Sequence, residues 1–294
     1  MARGLDVVHE LVTAGQGGER LSLEESRVQM DSHPQPLPDG TSVTPVDVDG
    51  VAGEWLRRSD TVRGRVVLCL HGGGYTVGSV QSHRRFGAVL GLACRANVLN
   101  IDYRLAPEHP CPAAIDDALT AYRWLSAHGF DDVVVAGDSA GGGLALATAV
   151  AAGDAGLQRP AALVLLAPWL DLTLSGSSVT TRAAADFMLD AEGLRLSAAA
   201  YAGGLPLDDP RVSPLGADLT GLPPVFVQVG DSDLLLDDAL RLADRGWQAG
   251  VAVSLDVAAG MPHVFQLFAG AGLLPEADAA VARLAEWLDE VLSG

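Results

Sequence analysis

The chain has 294 residues, 49% hydrophobic and 19% charged, a composition that can bury a large core and excludes a disordered chain. Its formal net charge of -18 repels nucleic-acid phosphates and anionic membrane surfaces, so neither is an expected partner. It contains no lysine, which excludes a P-loop lysine, a pyridoxal Schiff base and a Ser-Lys nucleophile pair.

Residues 5–31 predict one or two polar helices, for example Leu21 to Met30. Asp6, His9 and Glu10 stand where a signal peptide needs an apolar stretch, so the expected compartment is the cytoplasm. His33-Pro34-Gln35-Pro36-Leu37-Pro38 cannot continue a helix and marks a linker. Asp49-Gly50 is a hairpin turn signal between two short strands, expected at an antiparallel edge of a sheet. Beyond it, apolar strands are predicted at Val66–Leu70, Val98–Ile101, Val133–Ala136, Leu163–Ala167, Val225–Val229 and Val251–Val257. Helices are predicted at Phe86–Arg95, Ala113–Ala127, Gly141–Ala152, Leu235–Trp247 and Glu276–Leu292. Such alternation predicts an α/β fold, a mostly parallel sheet covered on both faces. Between Leu172 and Pro223 the rhythm lapses into one helix near Ala191–Tyr201 and several Gly/Pro turns, an insertion that would form a cap with the N-terminal helices. The uncharged run Ser139–Gly153 is too short and too rich in glycine to span a bilayer. The three cysteines are too few for a disulfide framework; Cys69 and Cys94 read as buried apolar residues, and Cys111 sits between two prolines.

The chemistry is concentrated in four loops. Gly137-Asp138-Ser139-Ala140-Gly141 fits G-x-S-x-G between a predicted strand and a predicted helix. A tight turn there lifts the Ser139 hydroxyl above the sheet, and glycines flank it because nothing bulkier passes so close. His71-Gly72-Gly73-Gly74 follows the strand Val66–Leu70, and its unshielded amides suit an oxyanion hole, with Gly72 and Gly73 joining Ala140. His71 is expected to brace this loop. Among the seven histidines, His263 alone lies on a loop after the last strand and is the candidate general base. His9 and His33 fall in the N-terminal segment and His128 ends a helix, while His83 and His109 read as loop residues without a partner. No metal-ligand spacing is present. An acid to orient the imidazole comes from Gly230-Asp231-Ser232-Asp233, where Asp231 and Asp233 both qualify; Asp237 and Asp238 read as helix starters. The order serine, acid, histidine is that of the α/β-hydrolase fold.

Five stretches in this order resemble the hormone-sensitive-lipase-like family of bacterial esterases: His71–Gly74, Tyr103–Pro110, Gly137–Gly141, Gly230–Asp238 and Met261–Phe265. Cys111 stands where the family often has phenylalanine. The resemblance implies an α/β-hydrolase fold with a helical cap, and a serine carboxylesterase acting on short- to medium-chain esters through an acyl-enzyme. It implies a triad of Ser139, Asp233 and His263, since the family's acid is the first aspartate of D-x-L-x-D, and oxyanion donors Gly72, Gly73 and Ala140. The implied division is residues 1–40 as cap helices and linker, 41–172 and 219–294 as the catalytic domain, and 173–218 as the cap insertion. Pocket candidates by the same analogy are Tyr75, Trp169, Phe187, Leu189, Tyr201 and Phe265. Tyr103–Pro110 is expected to be an architectural turn held by an Arg104–Glu108 contact. No metal or organic cofactor is implied; the expected partners are a small-molecule ester and a second copy of the chain, docked through the last strand, Val251–Val257. A lactonase, acyltransferase or cyclase would use the same triad. A non-catalytic binding protein of this fold would, like the plant hormone receptors that resemble it, have lost the histidine that is present here as His263.

Overall fold

The structure, a computed structural model, describes residues 2–13, 21–32 and 36–293. Part of the expected linker, His33 to Gln35, and residues 14–20 of the N-terminal helical region lie outside the described residues. In chain order the elements begin with α1 (Ala2–Thr13), α2 (Leu23–Asp31), β1 (Ser42–Val48), β2 (Val51–Arg57), β3 (Arg65–Leu70), α3 (Val80–Ala93), β4 (Asn97–Ile101) and α4 (Ala113–Ala127). They continue with β5 (Asp132–Asp138), α5 (Ala140–Asp154), β6 (Ala162–Leu166), α6 (Ser178–Thr181), α7 (Ala191–Ala202), β7 (Val225–Gly230), α8 (Leu236–Gln248), β8 (Val253–Ala258) and α9 (Pro275–Ser293).

One eight-stranded sheet runs in the order β1-β2-β4-β3-β5-β6-β7-β8. β1 pairs antiparallel with β2 about the Asp49-Gly50 turn, β2 pairs antiparallel with β4, and every later pairing is parallel. All six residues of β3 are buried, and alternation divides them between two cores. Val66, Leu68 and Leu70 face one core with α4, α5 and α8, whereas Val67 and Cys69 face the other with α3 and α9. Cys94 and Cys111 are buried free thiols like Cys69.

Parallel strands bring their C-terminal ends to one edge, and register decides which loops meet there. Leu70 pairs with Gly137, which sets the glycine loop beside the serine turn. Gly230 pairs with Ala258, which sets the aspartate loop beside the segment carrying His263. Asp138 pairs with Leu166, and Leu166 with Gln228, joining the two halves.

Two of the element boundaries that differ from expectation have a clear local cause. α3 begins six residues earlier than the apolar pattern indicates, because Ser79 caps it, accepting from the Gln81 and Ser82 amides while the Ser82 hydroxyl returns to the Ser79 N–H. β8 begins at Val253 rather than Val251, because the Val251 amide donates to Gly246 O and closes the end of α8. No helix among the described residues is long and apolar enough to cross a membrane.

Candidate active site

Ser139 sits between β5 and α5 with φ 53° and ψ −121°, a conformation costly for any residue with a side chain. Three backbone hydrogen bonds hold it there: its amide donates to Leu166 O at 2.8 Å, and its carbonyl accepts from Trp169 N at 2.9 Å and Gly143 N at 3.1 Å. A side chain on Gly137 would strike the Gly141 backbone, and one on Gly141 would strike the Leu70 carbonyl. Glycine at both positions is therefore a packing requirement of the turn.

The Ser139 Oγ lies 2.9 Å from His263 Nε2, and His263 Nδ1 lies 2.9 Å from Asp233 Oδ2. The other Asp233 oxygen accepts the Leu235 amide at 2.7 Å. All three side chains are buried, Asp233 completely. Burial alone would lower the His263 pKa, but Asp233, reinforced by Asp186 and Asp138, overrides it and raises the imidazole above its ordinary value. Asp231 takes no part in this relay; its carboxylate accepts the Gly260 amide at 2.6 Å and fastens the neighbouring turn.

The glycine loop is arranged differently from expectation. The Gly72 amide does not stand free for an incoming oxygen; it donates to Asp138 Oδ1 at 3.1 Å. Among the described residues, the amides of Gly73, Gly74 and Ala140 have no hydrogen-bond acceptor. Asp138, the variable position of G-x-S-x-G, is thus the tie between the serine turn and the loop. It lies 3.4 Å from His83 Nε2, and although burial raises its pKa, His83 outweighs that and lowers it below the ordinary value. His83 is accordingly a buried residue of α3 with a carboxylate partner, not an unpartnered loop histidine. His71 does brace its own loop: Nδ1 meets Gly72 O at 2.8 Å and the ring stacks on Tyr103 at 4.1 Å. Burial, with His83 nearby, pushes its pKa down to about 3, so it stays neutral.

Tyr103 donates its hydroxyl to His71 O at 2.7 Å, so the stretch that follows buttresses the glycine loop. Arg104 does not contact Glu108. Its backbone and guanidinium both engage Asp117 of α4, while Glu108 receives Arg27 of α2 at 2.8 Å through both oxygens. Arg27 also reaches the Thr76 and Ala106 carbonyls, which holds α2 over this end of the sheet.

The six pocket candidates separate. Tyr75, Trp169 and Tyr201 are fully buried on the core face shared with α5, Tyr75 and Tyr201 stacking at 3.7 Å. Phe187 and Leu189 are half-buried in the segment between α6 and α7, and Phe187 meets His9 of α1 edge-on at 4.8 Å. Phe265 is not brought to the others: it packs on the opposite face of the sheet with Met261, Phe226 and Leu274, because the chain turns back under the sheet after Val264, φ 44°. Asp237 and Asp238 do open α8, but each also reaches outward. Asp238 accepts the Leu170 and Asp171 amides at 2.8 and 2.9 Å and Arg241 at 2.6 Å, and Asp237 accepts the Ser178 amide at 3.0 Å. No cluster of three or more potential metal ligands occurs among the described residues.

Residues 67–267 match the α/β hydrolase fold family. An acetyl-hydrolase of Streptomyces hygroscopicus is 41% identical, the match covering 94% of this chain and 93% of that protein. The crystal structure of an esterase from the bacterial hormone-sensitive lipase family superposes with a TM-score of 0.94 at 42% identity, covering 98% of this chain and 97% of that one. A crystal structure of the esterase EstE5 soaked with p-nitrophenyl butyrate superposes with a TM-score of 0.94 at 37% identity, covering 99% of both chains.

Proposed function

The chain belongs to the α/β hydrolase fold family, among the bacterial esterases of the hormone-sensitive lipase family, and we propose that it is a serine carboxylesterase acting through an acyl-enzyme. One observation carries the reading: the buried relay from Asp233 through His263 to Ser139, two contacts of 2.9 Å each, beside open amides. Ser139 attacks the ester carbonyl while His263 Nε2 takes its proton. The carbonyl oxygen becomes negative and is received by the amides of Gly73, Gly74 and Ala140, with Gly72 serving as the anchor of the loop. His263 then gives its proton to the leaving alcohol, and later activates the water that frees the acid. Asp233 holds the imidazole tautomer and stabilises its cation.

The 173–218 insertion and α1 and α2 form the cap in this reading, with Phe187 and Leu189 toward the substrate and Tyr75, Trp169 and Tyr201 as the packed wall behind. A short to medium acyl group is the preferred substrate, in keeping with the butyrate ester soaked into the related esterase. A homodimer through the open edge of β8 belongs to the same proposal, and sedimentation velocity tests it. The deciding experiment is Ser139→Ala. Turnover of p-nitrophenyl acetate and butyrate should fall about a million-fold, the scale for a triad nucleophile, with fluorophosphonate labelling abolished and the melting temperature retained. Turnover within tenfold of wild type, or better turnover on emulsified long-chain esters than on soluble ones, refutes the reading.

A further inference from the structure

The loop that carries Asp233 is weakly held by its own backbone. The Asp233 amide reaches Gly230 O at 3.4 Å and the Leu236 amide reaches Asp233 O at 3.3 Å, both long bonds. The loop's first residues are tied to the segment before His263, Asp231 N–H to Ala258 O at 3.0 Å and Ser232 N–H to Met261 O at 3.1 Å, whereas Leu234 is gripped from the insertion, some fifty residues earlier in the chain. Asp186 Oδ2 accepts the Leu234 amide at 2.9 Å, and Ser178 Oγ donates to the Leu234 carbonyl at 2.6 Å. Leu234 directly follows Asp233, so both of its backbone polar groups are held from outside the loop. Ser178 Oγ also accepts the Asp237 amide at 3.1 Å, extending the grip into α8. Asp186 is 6% exposed, and its second oxygen shapes its own segment, accepting the Met188 amide at 2.9 Å and the Leu189 amide at 3.3 Å.

One carboxylate therefore fixes two things: the Phe187–Leu189 segment and the backbone beside Asp233. We infer that Asp186, with Ser178, is a positioning residue for the Asp233–His263 pair. This rests on the triad reading above. The charged groups acting on Asp186 besides these are His263 and Asp233; His263 in turn feels Asp233, Asp186 and Asp138. In Asp186→Ala the Leu234 amide loses its acceptor in a buried place, and the Asp233 carboxylate is free to drift from His263.

The test compares Asp186→Ala, Asp186→Asn and Ser178→Ala with the wild type on p-nitrophenyl acetate, whose acyl group is too small to depend on the cap. It adds the far-downfield proton NMR signal of the His263–Asp233 hydrogen bond. Asp186→Ala should lower kcat by up to about a hundredfold, the scale of a misplacement of about 1 Å, with KM changed less than about twofold and the signal weakened. Asp186→Asn should fall between Asp186→Ala and the wild type, because its single amide oxygen can accept either the Leu234 N–H or the Met188 and Leu189 N–H groups but not both sets. Wild-type kcat in Asp186→Ala, or a raised KM with kcat and signal intact, overturns the inference. Should Asp186→Ala fail to fold, Ser178→Ala and Asp186→Asn decide: wild-type kcat and signal in both overturn it, and graded loss at an unchanged melting temperature supports it. A wild type that hydrolyses no ester would sink the esterase reading instead, and the NMR signal in the variants would still test the grip.

Discussion

Replacing Asp233 by asparagine keeps the shape of the side chain and removes its charge. The 2.9 Å contact to His263 Nδ1 then becomes ambiguous, because an amide turned to keep its oxygen on Leu235 N presents an NH2 group to the imidazole. That favours the tautomer with its proton on Nε2, facing Ser139, where it cannot accept the serine proton. The same change in a serine-protease triad costs about ten-thousand-fold, or about 5 kcal/mol of transition-state stabilisation. Asp233 is completely buried, so water cannot replace the lost acceptor. Asp231→Asn is the matched control: its carboxylate holds Gly260 and stands outside the relay, so the loss should not exceed about tenfold. Initial rates on p-nitrophenyl butyrate, at matched pH and with active sites titrated, give kcat and KM for both. If Asp231→Asn is the crippled variant and Asp233→Asn stays active, the assignment of the acid is wrong.

In the proposed mechanism His263 must be neutral to accept the serine proton, and its pKa is raised, so activity should be lost as pH falls through that raised value. The acid limb of kcat/KM should have its midpoint above about 6.5, and in Asp233→Asn the residual activity should have its limb at lower pH, because burial then acts with less opposition; a wild-type midpoint below the ordinary imidazole value contradicts this. Asp138→Ala frees the Gly72 amide and loosens the glycine loop, so kcat should fall by at most about the hundredfold of one lost oxyanion donor, with KM little changed. An unchanged kcat would show that the tie to Asp138 does not set the aim of the amides. Asp238→Ala strips the acceptor from two buried amides and a partner from Arg241, and should destabilise the fold by about 3 kcal/mol in urea titration; a loss under about 1 kcal/mol shows that water or Asp171 takes over.

The fold was legible in the sequence because parallel strands buried on both faces read as continuous apolar runs, and β3, β5 and β7 do so. That Ser139 and His263 lie at the same edge of the sheet was legible because each follows a strand in a motif with little freedom. Other features left no periodic trace. The start of α3 is a polar turn, Val80 to Arg85, whose helical state depends on the Ser79 cap, and missing that cap misplaced His83. The engagement of Gly72 by Asp138 joins residues 66 apart in the chain, and that of Leu234 by Asp186 joins residues 48 apart. Such contacts follow from which loops the sheet register brings together, and local sequence holds no signal for them. Arg104 had two acidic residues within reach; the backbone amide that Asp117 also accepts favours the more distant one.

The relay also has a consequence for folding. Ser139 and His263 are 124 residues apart, and they meet only because β5, β6, β7 and β8 lie side by side in register. Parallel pairings of this kind close long loops before any contact rewards them, so they form late. Helices and the β1–β2 hairpin can assemble locally beforehand, without bringing serine and imidazole together. During refolding, the return of ester turnover should therefore lag the return of helical circular dichroism, and would report the moment at which the last strand docks.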